Sequence, residues 1–342
     1  MYAAETELKN AQKVKEYLLK KDLFHPDYTS VKELGLIYFP LIRKANVPHA
    51  KIVSPSFSFP KKQKPLSIEE LLKGKLNPPE LELLPKSQEI VGTILILEIP
   101  DELKKKERII AEAYLKHTPH IQTVVKKDEF HEGDFRLRKV KVLAGKNTTE
   151  TIHHENGVKI KLDLEKTYFS ARSASERLRI AKQVKKNEEV LVMFSGAAPY
   201  PLVIAKNSPA KIIYGIELNP LAHQYALQNA ELNKFGSRMV ILQGDVRKII
   251  PALKRKFDRL VMPLPKTAED FLPSALSAAK KGAIIHFYAF LGKDEFKEEG
   301  KRIKQICATL NHPAKILRAV PCGQFSPYIF RVCFDLRIGK KA

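Results

Sequence analysis

The sequence predicts an α/β fold: a doubly wound, largely parallel sheet at the C-terminus, with two small α+β domains ahead of it. Three observations carry this. From about residue 166 onward, apolar strand-like runs alternate with helical patterns, as in a parallel sheet covered on both faces. Residues 88–165 instead show short β-branched runs around one amphipathic helix. The stretch "VSPSFSFPKKQKP", rich in Ser, Pro and Lys, reads as a linker. The expected domains are 1–65, 66–165 and 166–342, since 342 residues exceed one core.

The elements follow in order. "KNAQKVKEYLLKKDL" has helical periodicity and "LGLIYFPLI" reads as a strand. Ser67 and Glu70 form a capping-box pattern at the head of "SIEELLKGKL". "EIVGTILILEIP" is a strand, and "DELKKKERIIAEAYLKH" a helix with Leu103, Ile109, Ile110 and Leu115 on its apolar side. In the strand "FRLRKVKV", alternation sends Arg136 and Arg138 to one face, which suits phosphate contact, and Lys139 and Lys141 to the other. Further on, Asn219 and Pro220 mark a helix start. "AEDFLPSALSAAKKG" reads as a helix ended by Gly282, and the last two strands, with no helix between them, form an antiparallel hairpin.

The 60 Lys and Arg against 38 Asp and Glu give a net charge of +22, which favours a polyanionic partner, most often nucleic acid. No apolar run is long enough to span a membrane, and "MYAAETELKNAQKVKEY" lacks the apolar core expected of a signal peptide. Three scattered cysteines fit a reducing, cytoplasmic setting rather than a disulfide framework, and no histidine spacing suggests a metal.

Ligands of such sheets bind beyond the carboxyl ends of the strands. Three ends here carry suggestive residues. The turn "MFSGAAPYP" offers Phe194, Ser195, Gly196 and Tyr200. Glu217, followed by Leu218, is placed for ribose hydroxyls, and Asp245, followed by Val246, for an adenine amino group. Taken singly, Glu217 and Asp245 read equally well as helix caps. The absence of a P-loop lysine disfavours ATP, and the terminal hairpin favours S-adenosyl-L-methionine over a dinucleotide. A fourth strand ends in Pro263-Leu264-Pro265, two prolines that stop strand pairing and stiffen the backbone.

"GDFRLRKVKVLAG", "ETIHHENGVKIKLDLEKTYFSARSASERLRIA", "MFSGAAPYPLVIA" and "IELNP" occur in the order seen in the archaeal and eukaryotic tRNA (guanine-37 N1)-methyltransferases. The chain resembles that family over nearly its whole length. The resemblance implies a class I, Rossmann-like methyltransferase domain that binds S-adenosyl-L-methionine. It also implies a middle domain holding the anticodon stem-loop and an N-terminal domain reaching the outer corner of tRNA, in a monomer. Val192, Ala198 and Pro263 depart from the commoner pattern and resemble one archaeal branch with a Pro-x-Pro loop, some members of which also methylate 4-demethylwyosine. The resemblance implies Arg136, Arg172 and Glu176 as groups near the base, one stabilising charge at O6 and Glu176 taking the proton or fixing the arginine. It implies Pro263 and Pro265 beside the cofactor. From the residues alone, Arg172 and Glu176 read as a surface pair at i, i+4. Two other readings keep the fold: an aminocarboxypropyl transferase using the same cofactor, and a non-catalytic tRNA-binding protein.

Overall fold

A computed structural model describes residues 1–62, 66–85, 88–127 and 137–339. The chain divides into two compact units, Met1–Ser67 and Ile68–Ala342.

In the first unit, β1 (Ala3–Glu7), β2 (Val31–Glu33), β3 (Leu36–Pro40) and β4 (Lys51–Val53) form an antiparallel sheet in the order β2-β3-β1-β4. Helix α1 (Ala11–Lys20) lays Val14 and Leu18, one turn apart, on a core that includes Ile37 and Phe39. The stretch read as a linker is partly tied down. Phe59 is buried, Phe57 meets Tyr38 and Phe59 edge-on, and the Thr29 N–H donates to the Pro60 carbonyl at 2.9 Å. Two buried or ring-paired phenylalanines outweigh the turn-like composition around them.

The second unit begins with two short helices, α2 (Ile68–Leu72) and α3 (Pro78–Glu82), the latter headed by an Asn77–Glu80 capping box. A four-stranded sheet follows in the order β5 (Glu89–Val91), β6 (Ile94–Leu97), β7 (Thr123–Lys127), β8 (Val140–Gly145). Helix α4 (Glu107–His117) crosses between the parallel pair β6 and β7 and buries Ile110, Ala111 and Tyr114. Ile109, expected on the apolar side, points outward and is 37% exposed. The apolar register shifts because Leu103 lies in a tighter 3₁₀ turn before the helix begins. Lys126 and Lys141 both donate to Glu107. Arg138 does not project for phosphate. It is 8% exposed and donates to Glu89 at 3.2 Å and to the Phe169 carbonyl at 3.0 Å. Arg136 lies outside the described residues.

The hairpin β9 (Glu150–Glu155) and β10 (Val158–Asp163) precedes helix α5 (Ala174–Ala181). The seven-stranded sheet and its helices then alternate: β11 (Glu189–Met193), α6 (Pro199–Asn207), β12 (Ile212–Glu217), α7 (Pro220–Leu232), β13 (Met239–Gln243), α8 (Val246–Leu253), β14 (Phe257–Met262), α9 (Leu272–Ala278), β15 (Ala279–Gly292), α10 (Phe296–Thr309), β16 (Ala314–Ser326) and β17 (Ile329–Ile338). The order is β13-β12-β11-β14-β15-β17-β16, parallel through β15 and antiparallel in the last two pairings. Strand order reverses between β11 and β14, where ligands of doubly wound sheets bind.

Helix α7 also holds the β9–β10 hairpin. Asn229 accepts from the Lys161 N–H and donates to its carbonyl, at 2.7 and 2.8 Å. Asn233, one turn on, does the same with Lys159. Two side-chain amides thus stand in for a neighbouring strand and satisfy an edge that would otherwise need one. Gly282 does not end a helix. It lies inside β15, which begins at Ala279 immediately after the short α9.

Candidate functional site

A pocket of about 570 Å³ opens at the carboxyl ends of β11 to β15. All ten residues expected to hold a cofactor line it: Phe194, Ser195, Gly196, Tyr200, Glu217, Leu218, Asp245, Val246, Pro263 and Pro265.

The turn after β11 packs tightly by taking left-handed backbone at alternate residues, with φ of 56° at Phe194, 57° at Gly196 and 66° at Ala198. Only the central one is a glycine, so this turn carries strain of the order of 1 kcal/mol at each of the other two. Its anchor is Glu217, the last residue of β12. The Gly196 N–H donates to Glu217 Oε2 at 2.6 Å and the Asn219 N–H to Oε1 at 2.8 Å. A carboxylate has about four acceptor positions, so these donors leave room for a ligand's hydroxyl. Burial pushes the Glu217 carboxyl above its ordinary 4.5, against the pull of these N–H donors.

Asn219 caps α7 through its Oδ1 and ties the loop to the Lys166 carbonyl through Nδ2 at 2.8 Å. Asp245 caps α8 and is gripped by the Arg247 guanidinium, which holds its carboxyl below the ordinary range. Both acids are therefore helix-associated and pocket-lining at once.

After β14, the Leu264 N–H donates to the Met262 carbonyl at 2.7 Å, and Pro263 and Pro265 have no N–H. The Pro-Leu-Pro wall therefore offers a ligand carbonyl acceptors and no main-chain donors.

Glu176 and Arg172 do not line the pocket. Arg172 is exposed. Glu176 is 2% exposed and is clasped by Arg179, not Arg172, at 2.6 and 2.9 Å. Two tyrosines link it to the pocket. The Tyr200 hydroxyl donates to that of Tyr288 at 3.0 Å, and Tyr288 donates to Glu176 Oε1 at 2.7 Å. Behind Glu176 the chain of charges continues. Arg179 reaches Asp335 at 2.8 Å, Asp335 meets His286 Nδ1 at 2.6 Å, and His286 Nε2 meets Arg259 at 2.8 Å. Arg259 is always a donor, so Nε2 accepts and Nδ1 carries the proton to Asp335. Burial favours this neutral form of His286. For Asp335, burial would raise the carboxyl, but His286 and Arg179 win and hold it well below the ordinary range. His286, Cys333 and Asp335 are spaced like metal ligands, yet both ring nitrogens are engaged and arginines flank the set. It closes as an ion-pair chain.

Sequence reasoning missed several pocket residues. Arg177 is bound by Glu155 through two 2.5 Å hydrogen bonds and lies over the rings of Phe169 and Tyr200. Arg172, the residue expected near the base, lies instead in the 3₁₀ turn ahead of α5 and is exposed. Tyr288, Phe290 and Arg331 come from the closing strands, which carry no motif.

A parallel sheet closed by an antiparallel last pair, with a glycine turn after its first strand and a carboxylate ending its second, defines a class I, Rossmann-like methyltransferase. Comparison with known proteins narrows this. The TRM5/TYW2 methyltransferase domain matches residues 151–316, and the TYW2 N-terminal domain matches residues 68–148. The tRNA (guanine(37)-N(1))-methyltransferase Trm5b of Methanocaldococcus jannaschii is 32% identical over 342 residues, covering 97% of each chain. Its counterpart from Pyrococcus abyssi is 36% identical over 256 residues, 75% of this chain and 76% of that one. The tRNA (guanine(37)-N(1))/4-demethylwyosine(37)-methyltransferase Taw22 of Nanoarchaeum equitans is 33% identical over 66% of this chain and 90% of its own. The crystal structure of Trm5b from Pyrococcus abyssi superposes with a TM-score of 0.73 at 30% identity, over 99% of this chain and all of that one. A complex of aTrm5 with tRNALeu gives 0.71 at 29% identity, with the same coverage. Pyrococcus horikoshii TYW2 in complex with MeSAdo gives 0.69 at 32% identity, over 80% of this chain and 98% of that one. The chain belongs to the Trm5 family of tRNA (guanine-37 N1)-methyltransferases.

Proposed function

We propose that this protein methylates N1 of guanine 37 in tRNA with S-adenosyl-L-methionine. The observation that carries the reading is the pocket at the β11–β14 switch, where Glu217 holds two loops and keeps acceptor positions free. When bound there, the cofactor supplies an electrophilic methyl group on a sulfonium sulfur. Glu217 would hold ribose hydroxyls, Asp245 and the loop at Val246 the adenine, and Phe194, Ser195 and Gly196 the close approach of backbone. Ser195 Oγ is buried without a partner and is a further donor for this ligand.

Guanine N1 carries a proton, so the site must remove it and stabilise the charge that spreads to O6. Glu176 is our proton acceptor, reached from the pocket through the Tyr200–Tyr288 hydroxyls. Arg136 and Arg172 remain proposed contacts near the base or its phosphates. The net charge of +22 supports tRNA as the partner, with the anticodon stem-loop on residues 66–165 and the outer corner on residues 1–65. We place the protein in the cytoplasm as a monomer. No helix among the described residues is long and apolar enough to cross a membrane.

A second reading adds 4-demethylwyosine as a substrate. The acceptor-only Pro263–Pro265 wall favours it, because the Pro-x-Pro loop resembles that of the branch whose members also methylate 4-demethylwyosine. Incubation of labelled cofactor with tRNA bearing either G or the tricyclic base at position 37 tests both. Transfer to neither base would refute the function, and an aminocarboxypropyl product would replace it.

A further inference from the structure

Among the described residues, three buried side-chain polar atoms lack a partner, and two of them belong to pocket residues: Ser195 Oγ and Arg331 Nε. Buried donors are nearly always satisfied, so an orphan on a ligand cavity asks for a ligand. An arginine poses the question more sharply, since its charge is permanent.

Arg331 lies in β17 directly opposite Phe290 of β15, and both line the pocket. One nitrogen, Nη2, donates to the Cys322 carbonyl at 2.8 Å and fixes the guanidinium. A Cβ on residue 323 would come within 3.1 Å of Nη2, so Gly323 makes the room. The groups facing the guanidinium are Tyr200 from α6, Tyr288 from β15 and Cys322 from β16. Burial raises all three, Cys322 to about 11, so none supplies a negative charge near neutral pH. Glu176, the carboxylate behind the tyrosines, is already committed to Arg179 and Tyr288. Among the described residues, the charge of Arg331 is thus uncompensated, and its side chain lines the cavity.

The sheet shows which part of the cavity this is. Eight of the ten proposed cofactor residues end or follow β11, β12 or β13, and the other two, Pro263 and Pro265, follow β14. β17 lies on the other side of β14, third from β11, roughly 14 Å away at ordinary strand spacing. That side lies farthest from β12 and β13 and is the one left for the target base.

We propose that Arg331 is a further catalytic residue that, beside the arginine the resemblance implies, stabilises the negative charge developing on O6 of the target guanine. This rests on the functional reading above. As the N1 proton leaves for the base, its electron pair stays on the ring and delocalises onto O6. The pair at N1 then forms the new N1–C bond while the C–S pair returns to sulfur. The free Nε–H of Arg331 meets an oxygen that becomes strongly basic only along this path, so its effect falls on the rate rather than on binding.

The experiment measures single-turnover methylation of G37 transcripts across pH, with calorimetric affinities for S-adenosylmethionine and tRNA measured alongside. Arg331→Gln should slow transfer by about 10²-fold at neutral pH, the usual effect of losing one oxyanion donor. Its rate should still climb with pH where the wild type has levelled, because an unaided N1 gives up its proton only at higher pH. Both affinities should hold, and Arg331→Lys should recover part of the rate. Arg331→Met repeats the test if glutamine unfolds the hairpin. Cofactor affinity falling in step with rate would assign the guanidinium to the cofactor and overturn the proposal, as would an unchanged rate and pH profile. A wild-type protein inactive on G37 would remove the functional reading itself. An active wild type with an indifferent Arg331→Gln would remove this inference alone.

Discussion

The two sides of the pocket are built on opposite plans. On the β12–β13 side, charge is sparse and local: Glu217 ends β12, Asp245 follows β13, and both bind N–H groups within a few residues or one loop away. On the β14–β15–β17 side, charge is dense, buried and assembled across the chain. Glu176 meets a tyrosine 112 residues on, and Arg179 an aspartate 156 residues on. The first arrangement leaves acceptor positions open, as a binding surface must. The second closes on itself except at Tyr200 and Arg331, as a scaffold must if it is to aim a few groups with little reorganisation.

If that contrast holds, substitutions on the two sides should fail differently. The largest effect should come from Asp335→Asn, which strands Arg179 and His286 in the interior. A loss of about 3–5 kcal/mol in denaturant unfolding is expected, the usual result of removing one partner of a buried ion pair. Because the folded Asp335 carboxyl is depressed, the stability it supplies is full above its unfolded pKa, near 4, and fades as pH falls through the lower folded value. The wild type should therefore lose stability below about pH 4 through a component absent from the asparagine variant.

Glu217→Ala should weaken S-adenosylmethionine binding by about 2–3 kcal/mol in calorimetry while costing less stability than Asp335→Asn, since hydrogen bonds to a charged group contribute about that much. The pH dependence carries the same signature. Ligand hydroxyls bond to the ionised carboxylate, and the free carboxyl is raised, so affinity should start to fall above pH 4.5 as acid protonates it. An equal loss of folding stability for Glu217→Ala and Asp335→Asn would erase the distinction between the two sides. Asn219→Ala should cost about 1 kcal/mol by uncapping α7. The smallest change expected is in selectivity. Pro263→Asn should shift the ratio of G37 to 4-demethylwyosine methylation in nucleoside mass analysis, and an unchanged ratio would make the wall merely structural.

The same contrast explains what could be read in advance. The β12–β13 side is legible because strand end, turn and helix cap are consecutive in the chain: "IELNP" places Glu217, Asn219 and Pro220 in one line of sequence. The alternation of strands and helices likewise fixes a parallel sheet. His286, Arg259 and Asp335 carry no local signal, since each lies inside an apolar strand and acquires a role only when β14, β15 and β17 come together. Glu176 was singled out by its motif, but its partner was expected at i−4 and proves to be Arg179 at i+3, because the interior also holds Asp335 for that guanidinium to bridge. Phe57 and Phe59 sat in a linker-like composition, and only the ring contact with Tyr38 reveals them as packed.

The central claim is that this pocket delivers a methyl group to the purine at position 37. Mass analysis of the nucleoside at that position, after incubating G37 tRNA with the full chain and S-adenosylmethionine, tests it most directly. The account predicts 1-methylguanosine. Unmodified guanosine, with tRNA and cofactor both shown to bind, would contradict it.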